Sequence, residues 1–380
     1  MQCAYYSAGR CRSCTLLEVP YEQQLASKDA RVREQLQGVA PNLEWLTPQA
    51  SAEANFRNKA KLVVGGRTGL VSLGILDRQR RGIDLTGCEL QEQPILAVLP
   101  SIAAWINEAG LTPYSVRERQ GELKHVLLTV SPAGEFAMRL VLRSEGQLGR
   151  IRRALPQLLA AVPGLRVVSV NLQPEHKAVI EGAEETVLTD TRLLPMPLGA
   201  VTLQLGPRSF FQTNTQVTRA LYARASEWIV DAVPAAMWDL YCGVGGFALH
   251  AAAAVLEAGS AAPDIVGVEV SDEAVASARA AAAAAGVDAR FVAADAVQMQ
   301  QLGEQVPDLV LVNPPRRGIG ELAQWLEESG AARIVYSSCN PTTLARDIEA
   351  MPSMRAVRAQ LFDMFPHTEH AEVLVELVRQ

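Results

Sequence analysis

Between residues 236 and 337 the chain alternates apolar runs of strand length with segments of helix length. The runs fall at 236–241, 265–270, 308–312 and 333–337. Strands written as near-continuous Val, Ile and Leu are covered on both faces, and the intervening helices do the covering. The alternation predicts a doubly wound, mostly parallel α/β sheet. Two further runs, 357–365 and 371–378, are joined by a short loop and predict two more strands at the end of the chain. In an open α/β sheet the ligand sits at the carboxyl ends of the strands. The loops that follow each run are therefore where chemistry is sought.

The first loop reads Asp239-Leu-Tyr-Cys-Gly243-Val-Gly245-Gly246-Phe247. Gly243 and Gly245 let the backbone turn tightly and approach a ligand without a Cβ in the way. A dinucleotide would be served equally well by such a loop. Two acids shift the balance. Asp239 suits the ammonium of a zwitterionic amino-acid moiety, and Glu269, ending the next strand, suits the two hydroxyls of a ribose. Asp295 closes the following strand, close to where an adenine would lie. The fourth strand ends in Asn313-Pro314-Pro315-Arg316-Arg317-Gly318. An aromatic after the prolines would suggest methylation of an exocyclic amine by stacking on the base; an arginine there points away from it.

The fifth strand ends in Ser337-Ser338-Cys339-Asn340-Pro341. A lone cysteine just beyond a buried strand is a candidate nucleophile. Its use is clear if the substrate is a uracil, whose C5 is too poor a nucleophile to take a methyl from a sulfonium. A thiolate added to C6 places electron density on C5, and a base must afterwards remove the C5 proton. The stretch Phe365-Pro366-His367-Thr-Glu369-His370-Ala371-Glu372 supplies a carboxylate near the last strand. Its two histidines lack the helical spacing of a metal site.

The first half is organised differently. Strand-like runs at 61–64, 70–76, 126–130, 136–142 and 167–172, with helical patterns near 94–109 and 147–161, read as an α+β region. Pro195, Pro197 and Gly199 punctuate a boundary near 190. The net charge of −6 hides an asymmetry, because residues 191–380 hold 13 Arg and no Lys against 21 Asp and Glu. Phosphate contacts are therefore expected from the first half. Arg57, Lys59 and Lys61 alternate on a predicted strand and so share a face; Arg78, Arg80 and Arg81 form a second basic group. Of six cysteines, Cys3, Cys11, Cys14 and Cys88 crowd the start, while Cys242 and Cys339 stand alone. Clustered cysteines in a cytosolic chain read as metal ligands or catalytic thiols, and four thiolates suit zinc or an iron–sulfur cluster. No run of eighteen apolar residues occurs, and residues 1–6 lack the features of a secretory leader, so a cytoplasmic location is expected.

Taken together, the glycine loop, Asn-Pro-Pro-Arg-Arg-Gly, Ser-Ser-Cys-Asn and Phe-Pro-His-Thr-x-His-x-Glu resemble the RNA (uracil-C5)-methyltransferase family. Pro207-Arg208-Ser209-Phe210-Phe211-Gln212-Thr213-Asn214 looks like the signature that opens that family's catalytic domain. The resemblance implies a class I, Rossmann-like fold and S-adenosylmethionine as methyl donor. It implies Gln212, Tyr241, Glu269 and Asn313 as cofactor-site residues, Cys339 as nucleophile and Glu372 as base. Asn313 stands where many members carry aspartate; an amide cannot act as a base, so hydrogen bonding is its expected role. Cys3-x7-Cys11-x2-Cys14 with Cys88 resembles the iron–sulfur cysteines of the branch acting on 23S ribosomal RNA, which implies a [4Fe–4S] cluster; because methyl transfer needs no electrons, a structural use is expected of it.

The implied division is an iron–sulfur segment at 1–90, part of a central RNA-binding region, a central α+β domain at 91–190 and a catalytic domain at 191–380. The expected partner is 23S ribosomal RNA presenting an unstacked or flipped uridine; no membrane is involved and a monomer suffices. Two competitors remain. RNA (cytosine-C5)-methyltransferases place a cysteine after proline in the fourth-strand motif, where this chain has no thiol. An iron–sulfur RNA-binding or sensing protein with an inactive methyltransferase domain would have no use for Cys339 and Glu372.

Overall fold

The four apolar runs become parallel strands, Ala236–Leu240, Asp264–Glu269, Leu309–Val312 and Arg333–Ser338, with a fifth at Arg290–Ala293. The computed structural model describes residues 1–298 and 306–380. It resolves into two compact units, Met1–Cys14 with Glu53–Met196, and Thr15–Ala52 with Pro197–Gln380.

In the second unit the sheet runs Arg290–Ala293, Asp264–Glu269, Ala236–Leu240, Leu309–Val312, Arg333–Ser338, Glu372–Arg379, Met354–Phe362 and Glu44–Trp45. Glu372–Arg379 is antiparallel to both of its neighbours, which closes an otherwise parallel sheet. The first strand of the terminal pair ends at Phe362 rather than continuing to 365; at its end Phe362 bridges Gln49, whose carbonyl accepts from the Asp363 amide at 2.9 Å. Leu240, Val268, Val310, Val312 and Ile334 are fully or almost fully buried, as two-sided strands must be. A helix the apolar pattern does not announce, Tyr21–Gln37, adds Val32 and Leu36 to this core. Because the central strands are parallel, Tyr241, Glu269, Asn313 and Cys339 all emerge along one edge of the sheet.

The first unit is a seven-stranded sheet in the order Gly82–Asp84, Leu70–Leu76, Lys59–Arg67, Leu123–Val130, Phe136–Leu142, Leu165–Leu172 and Glu184–Val187. Its one parallel pair, Phe136–Leu142 with Leu165–Leu172, is connected through the helix Leu148–Ala161. That helix and Gln93–Glu108 bury Ile151, Leu158, Ile95, Leu99 and Ile102 against the sheet's apolar face. No helix among the described residues is long and apolar enough to cross a membrane.

Candidate active site

The chain turns out of Ala236–Leu240 through three left-handed residues, Tyr241, Gly243 and Gly245, of which the first and last frame the cofactor loop. Tyr241 has φ +63°, unusual for a side-chain-bearing residue, and Gly245 has φ +79° immediately before the helix Gly246–Glu257. Packing is tight: a Cβ on Gly246 would stand 2.3 Å from the Tyr222 hydroxyl. Gly246→Ala should therefore overpack the helix start, by about 1–3 kcal/mol, and weaken cofactor binding about tenfold or more. Calorimetric titration with S-adenosylhomocysteine checks this; unchanged affinity would show that the loop can yield.

A cleft of about 650 Å³ opens at this edge of the sheet and gathers the expected residues. Gln212, Tyr241, Gly243, Glu269, Asp295 and Asn313 line it together with Cys339 and Glu372. Gly245 acts from behind as the turn residue, packed on Phe291 and Ala278. The Glu269 carboxylate is anchored by the Gly243 amide at 3.2 Å and the Ser271 amide at 3.0 Å. Fixed in this way, it can accept from vicinal hydroxyls. Asp295 is exposed and accepts from the Val297 amide at 3.1 Å.

Asp239 differs from the ammonium contact expected of it. Its side chain is 0 % exposed and accepts from the Ala248 amide at 3.1 Å, which ties the strand to the helix Gly246–Glu257. Burial, and more weakly the Glu269 carboxylate, push its carboxyl up to about 7.

Register explains how the candidate nucleophile and base meet. The antiparallel ladder sets Ser337 against Leu374 and Ser338 against Val373. One residue further, Cys339 comes opposite Glu372. Glu372 is 2 % exposed, and Ser337 Oγ donates to its Oε1 at 2.6 Å. Burial pushes the Glu372 carboxyl up to about 7, with the Ser337 hydrogen bond acting against it. A carboxyl so placed is ready to take a proton near neutrality.

The Cys339 thiol is pushed up by burial and by the negative charge of Glu372, while Arg316 pulls it down through charge and a hydrogen bond. Arg316 is held in turn: its Nη2 lies 3.0 Å from His370 Nδ1, and its carbonyl accepts from Asn340 Nδ2 at 2.9 Å. Neither Arg316 nor Ser337 drew a role from the sequence, although both lie inside the quoted motifs. The signal was their position, one strand over from the nucleophile and one residue from its strand end.

In the first unit, Cys3, Cys11, Cys14 and Cys88 line a single cavity of about 140 Å³ together with Arg57, Lys59 and Lys61. Among the described residues no group of His, Cys, Asp or Glu converges closely enough to hold one metal ion. The thiols nevertheless feel one another: burial, then Cys88, Cys11 and Cys3, push Cys14 up to about 11. Arg57 Nε is buried and has no hydrogen-bond partner among the described residues. Lys59 is half-buried and Lys61 exposed. The basic stripe therefore faces the cysteines, and only its last member reaches freely into solvent.

Residues 199–380 match the family model described as tRNA (Uracil-5-)-methyltransferase. Over their whole lengths the chain is 46 % identical to the 23S rRNA (uracil(747)-C(5))-methyltransferase RlmC of Vibrio cholerae and 47 % identical to that of Cronobacter sakazakii. The crystal structure of Pyrococcus abyssi tRNA (uracil-54, C5)-methyltransferase in complex with S-adenosyl-L-homocysteine shares the fold. It superposes with a TM-score of 0.78 at 23 % identity, covering 96 % of this chain and 85 % of that one. With near-half identity from end to end, and a thiol and a carboxyl brought together where Arg333–Ser338 pairs with Glu372–Arg379, the chain belongs to the RNA (uracil-C5)-methyltransferase family.

Proposed function

We propose that the chain methylates C5 of a uridine in 23S ribosomal RNA, the nucleotide numbered 747 in the names of its relatives. The observation that carries this reading is the pairing of Cys339 with a buried Glu372 in the cleft that also holds the anchored Glu269. An RNA-binding protein without activity would need neither group. S-adenosylmethionine supplies an electrophilic methyl, and Glu269, Gln212 and the glycine loop would hold it.

Cys339 Sγ, as thiolate beside Arg316, bonds to C6 of the uracil and sends the π electrons toward C5 and O4. C5 attacks the methyl, the sulfur–methyl bond breaks with its electron pair left on sulfur so that S-adenosylhomocysteine departs, and the now saturated C5 still carries its proton. Glu372 removes that proton, the C5–C6 double bond re-forms, and the Cys339 thiolate leaves. Phe210, 68 % exposed on the cleft wall, offers a face for an unstacked base, and Arg316 and Arg317 stand exposed beside it. Ribosomal RNA as substrate goes with a cytoplasmic location.

Incubation with methyl-labelled S-adenosylmethionine and either 23S rRNA or tRNA, followed by digestion to nucleosides, tests this. The label should appear in 5-methyluridine, from 23S rRNA alone. Label in a cytidine or an exocyclic amine would overturn the reading. The proton-removal step should also depend on pH in a defined direction. With its carboxyl raised from the ordinary carboxylate range to about 7, Glu372 is a base above that pH and loses the capacity below it. Release of the C5 proton from the methylated adduct, followed after the adduct has formed, should rise through pH 7 and then level; a flat profile between pH 5 and 8 would remove Glu372 from the step.

The four cysteines support a [4Fe–4S] cluster in the first unit. Thiols spread around a shared cavity suit a polynuclear centre, whose ligands stand further apart than those around one zinc with Zn–S near 2.3 Å. The buried, unpartnered Arg57 Nε suits the negative charge of such a centre. Cys3, Cys11, Cys14 and Cys88 would hold it, and its contribution would be to cross-link the chain start to the sheet. Cys14→Ser should lose iron, sulfide and the broad visible absorbance together; zinc in place of iron in the wild-type protein would contradict this. Lys61, exposed at the cavity's edge, is then the member of the stripe left to meet phosphate.

A further inference from the structure

The loop that leads into Glu372 is held from a distant part of the chain, and the hold is polar and buried. The helix Tyr21–Gln37 turns Gln24, Lys28, Val32 and Leu36 inward. Its C-terminal half meets the core with valine and leucine, as an amphipathic helix should. Its N-terminal half does so with an amide and an ammonium, each 1 % exposed.

Both reach the segment 363–370. Lys28 Nζ donates to Asp363 Oδ1 at 2.7 Å and to the Phe365 carbonyl at 3.0 Å, and Asp363 is 0 % exposed. Gln24 Oε1 accepts from the His367 amide at 2.8 Å, while the Gln24 amide nitrogen stands 3.2 Å from His367 Nδ1. The Leu16 amide donates to the His367 carbonyl at 3.0 Å. Arg31 pairs with Glu369 one helical turn further on. His367 is itself fully buried at φ +64°, a conformation a histidine keeps only where its surroundings impose it. Three residues on, His370 contacts Arg316, and two residues after that comes Glu372.

A buried ion pair is weak support for stability, since a well-packed apolar pair of similar volume does as well or better. What the pair and the amide add is direction: each hydrogen bond is made to one named group of the 363–370 loop. The geometry points to Gln24 and Lys28 as positioning residues for the proton-removal step: a brace that fixes the 363–370 loop so that Glu372 faces the C5 proton and His370 faces Arg316. This rests on the assignment of Glu372 as base. The brace touches neither the cofactor loop nor Cys339 directly, and it reaches Arg316 only through His370, so its loss should fall mainly on the late step.

The test compares Gln24→Ala, Lys28→Met and Glu372→Gln with the full-length wild-type protein. Affinity for S-adenosylhomocysteine, thermal midpoint, and the fraction of RNA held covalently on a denaturing gel are read for each. Gln24→Ala and Lys28→Met should leave the affinity within about twofold, lower turnover about tenfold or more, and accumulate the covalent RNA adduct. Should Lys28→Met fail to fold, Gln24→Ala, which keeps the ion pair, carries the test alone. If Glu372→Gln accumulates the adduct and Gln24→Ala clears it at the wild-type rate, the brace is wrong and the base stands. If Glu372→Gln turns over normally, the base assignment fails and the brace falls with it.

Discussion

Cys339→Ala is expected to abolish methyl transfer, by about 10⁴-fold or more, as removal of a covalent nucleophile does when the remaining groups cannot act without it. The reason is electronic. Without a sulfur on C6, C5 of uracil carries too little density to attack a sulfonium methyl, however well both are placed. The cleft, Glu269 and the glycine loop are untouched by the substitution, so cofactor binding should persist. Cys339→Ser should be equally inactive, because a hydroxyl beside Arg316 remains protonated where a thiol ionises. Initial rates with labelled S-adenosylmethionine, and a denaturing gel for RNA carried on protein, check both variants. Residual activity within tenfold of wild type would remove Cys339 from the chemistry.

Glu372→Gln is expected to slow turnover about 10³-fold, within the usual range for a lost general base, and to do so by stopping the cycle late. The amide keeps an oxygen for the Ser337 hydroxyl but cannot accept the C5 proton. Thiol addition and methyl transfer precede that step, so the methylated RNA should remain attached through Cys339. A second consequence has the opposite sign. The Glu372 charge helps to push the Cys339 thiol up. Its removal should therefore let the thiolate form more readily above about pH 7, where Glu372 is charged, and there adduct formation in Glu372→Gln should climb at lower pH than in wild type, while below pH 7, where both side chains are neutral, the two profiles should meet. Adduct yield against pH for the two proteins shows it; a variant that neither traps RNA nor shifts the profile would mean that Glu372 faces some other proton.

The parallel half of the fold was readable because strands buried on both faces are written as unbroken apolar runs, as in Leu309–Val312. The site was readable because chemistry in such a sheet collects at strand ends, so Glu269, Asn313 and Cys339 could be picked from three separate loops. The helix Tyr21–Gln37 was not readable for the opposite reason. Two of its four buried positions are Gln24 and Lys28, which erase the apolar periodicity, and the partner that makes Lys28 tolerable is Asp363, 335 residues away. Ser337 escaped notice because its role comes from register with a strand that begins at Glu372. Asp239 suggested a ligand contact by its spacing from the glycines, but its strand carries it inside, where it caps the next helix at Ala248. Alternation placed Arg57, Lys59 and Lys61 on one face; only the fold could show that this face looks onto the cysteines.

The most direct measurement uses 23S rRNA tritiated at uracil C5 with S-adenosylmethionine labelled in its methyl group, and counts both labels in one reaction. Methylation of C5 through an adduct at C6 predicts one tritium released for each methyl incorporated, from 23S rRNA and not from tRNA, with both signals lost in Cys339→Ala. Methyl incorporated while tritium stays on the RNA would place the reaction at another atom and contradict Cys339 as the nucleophile and Glu372 as the base.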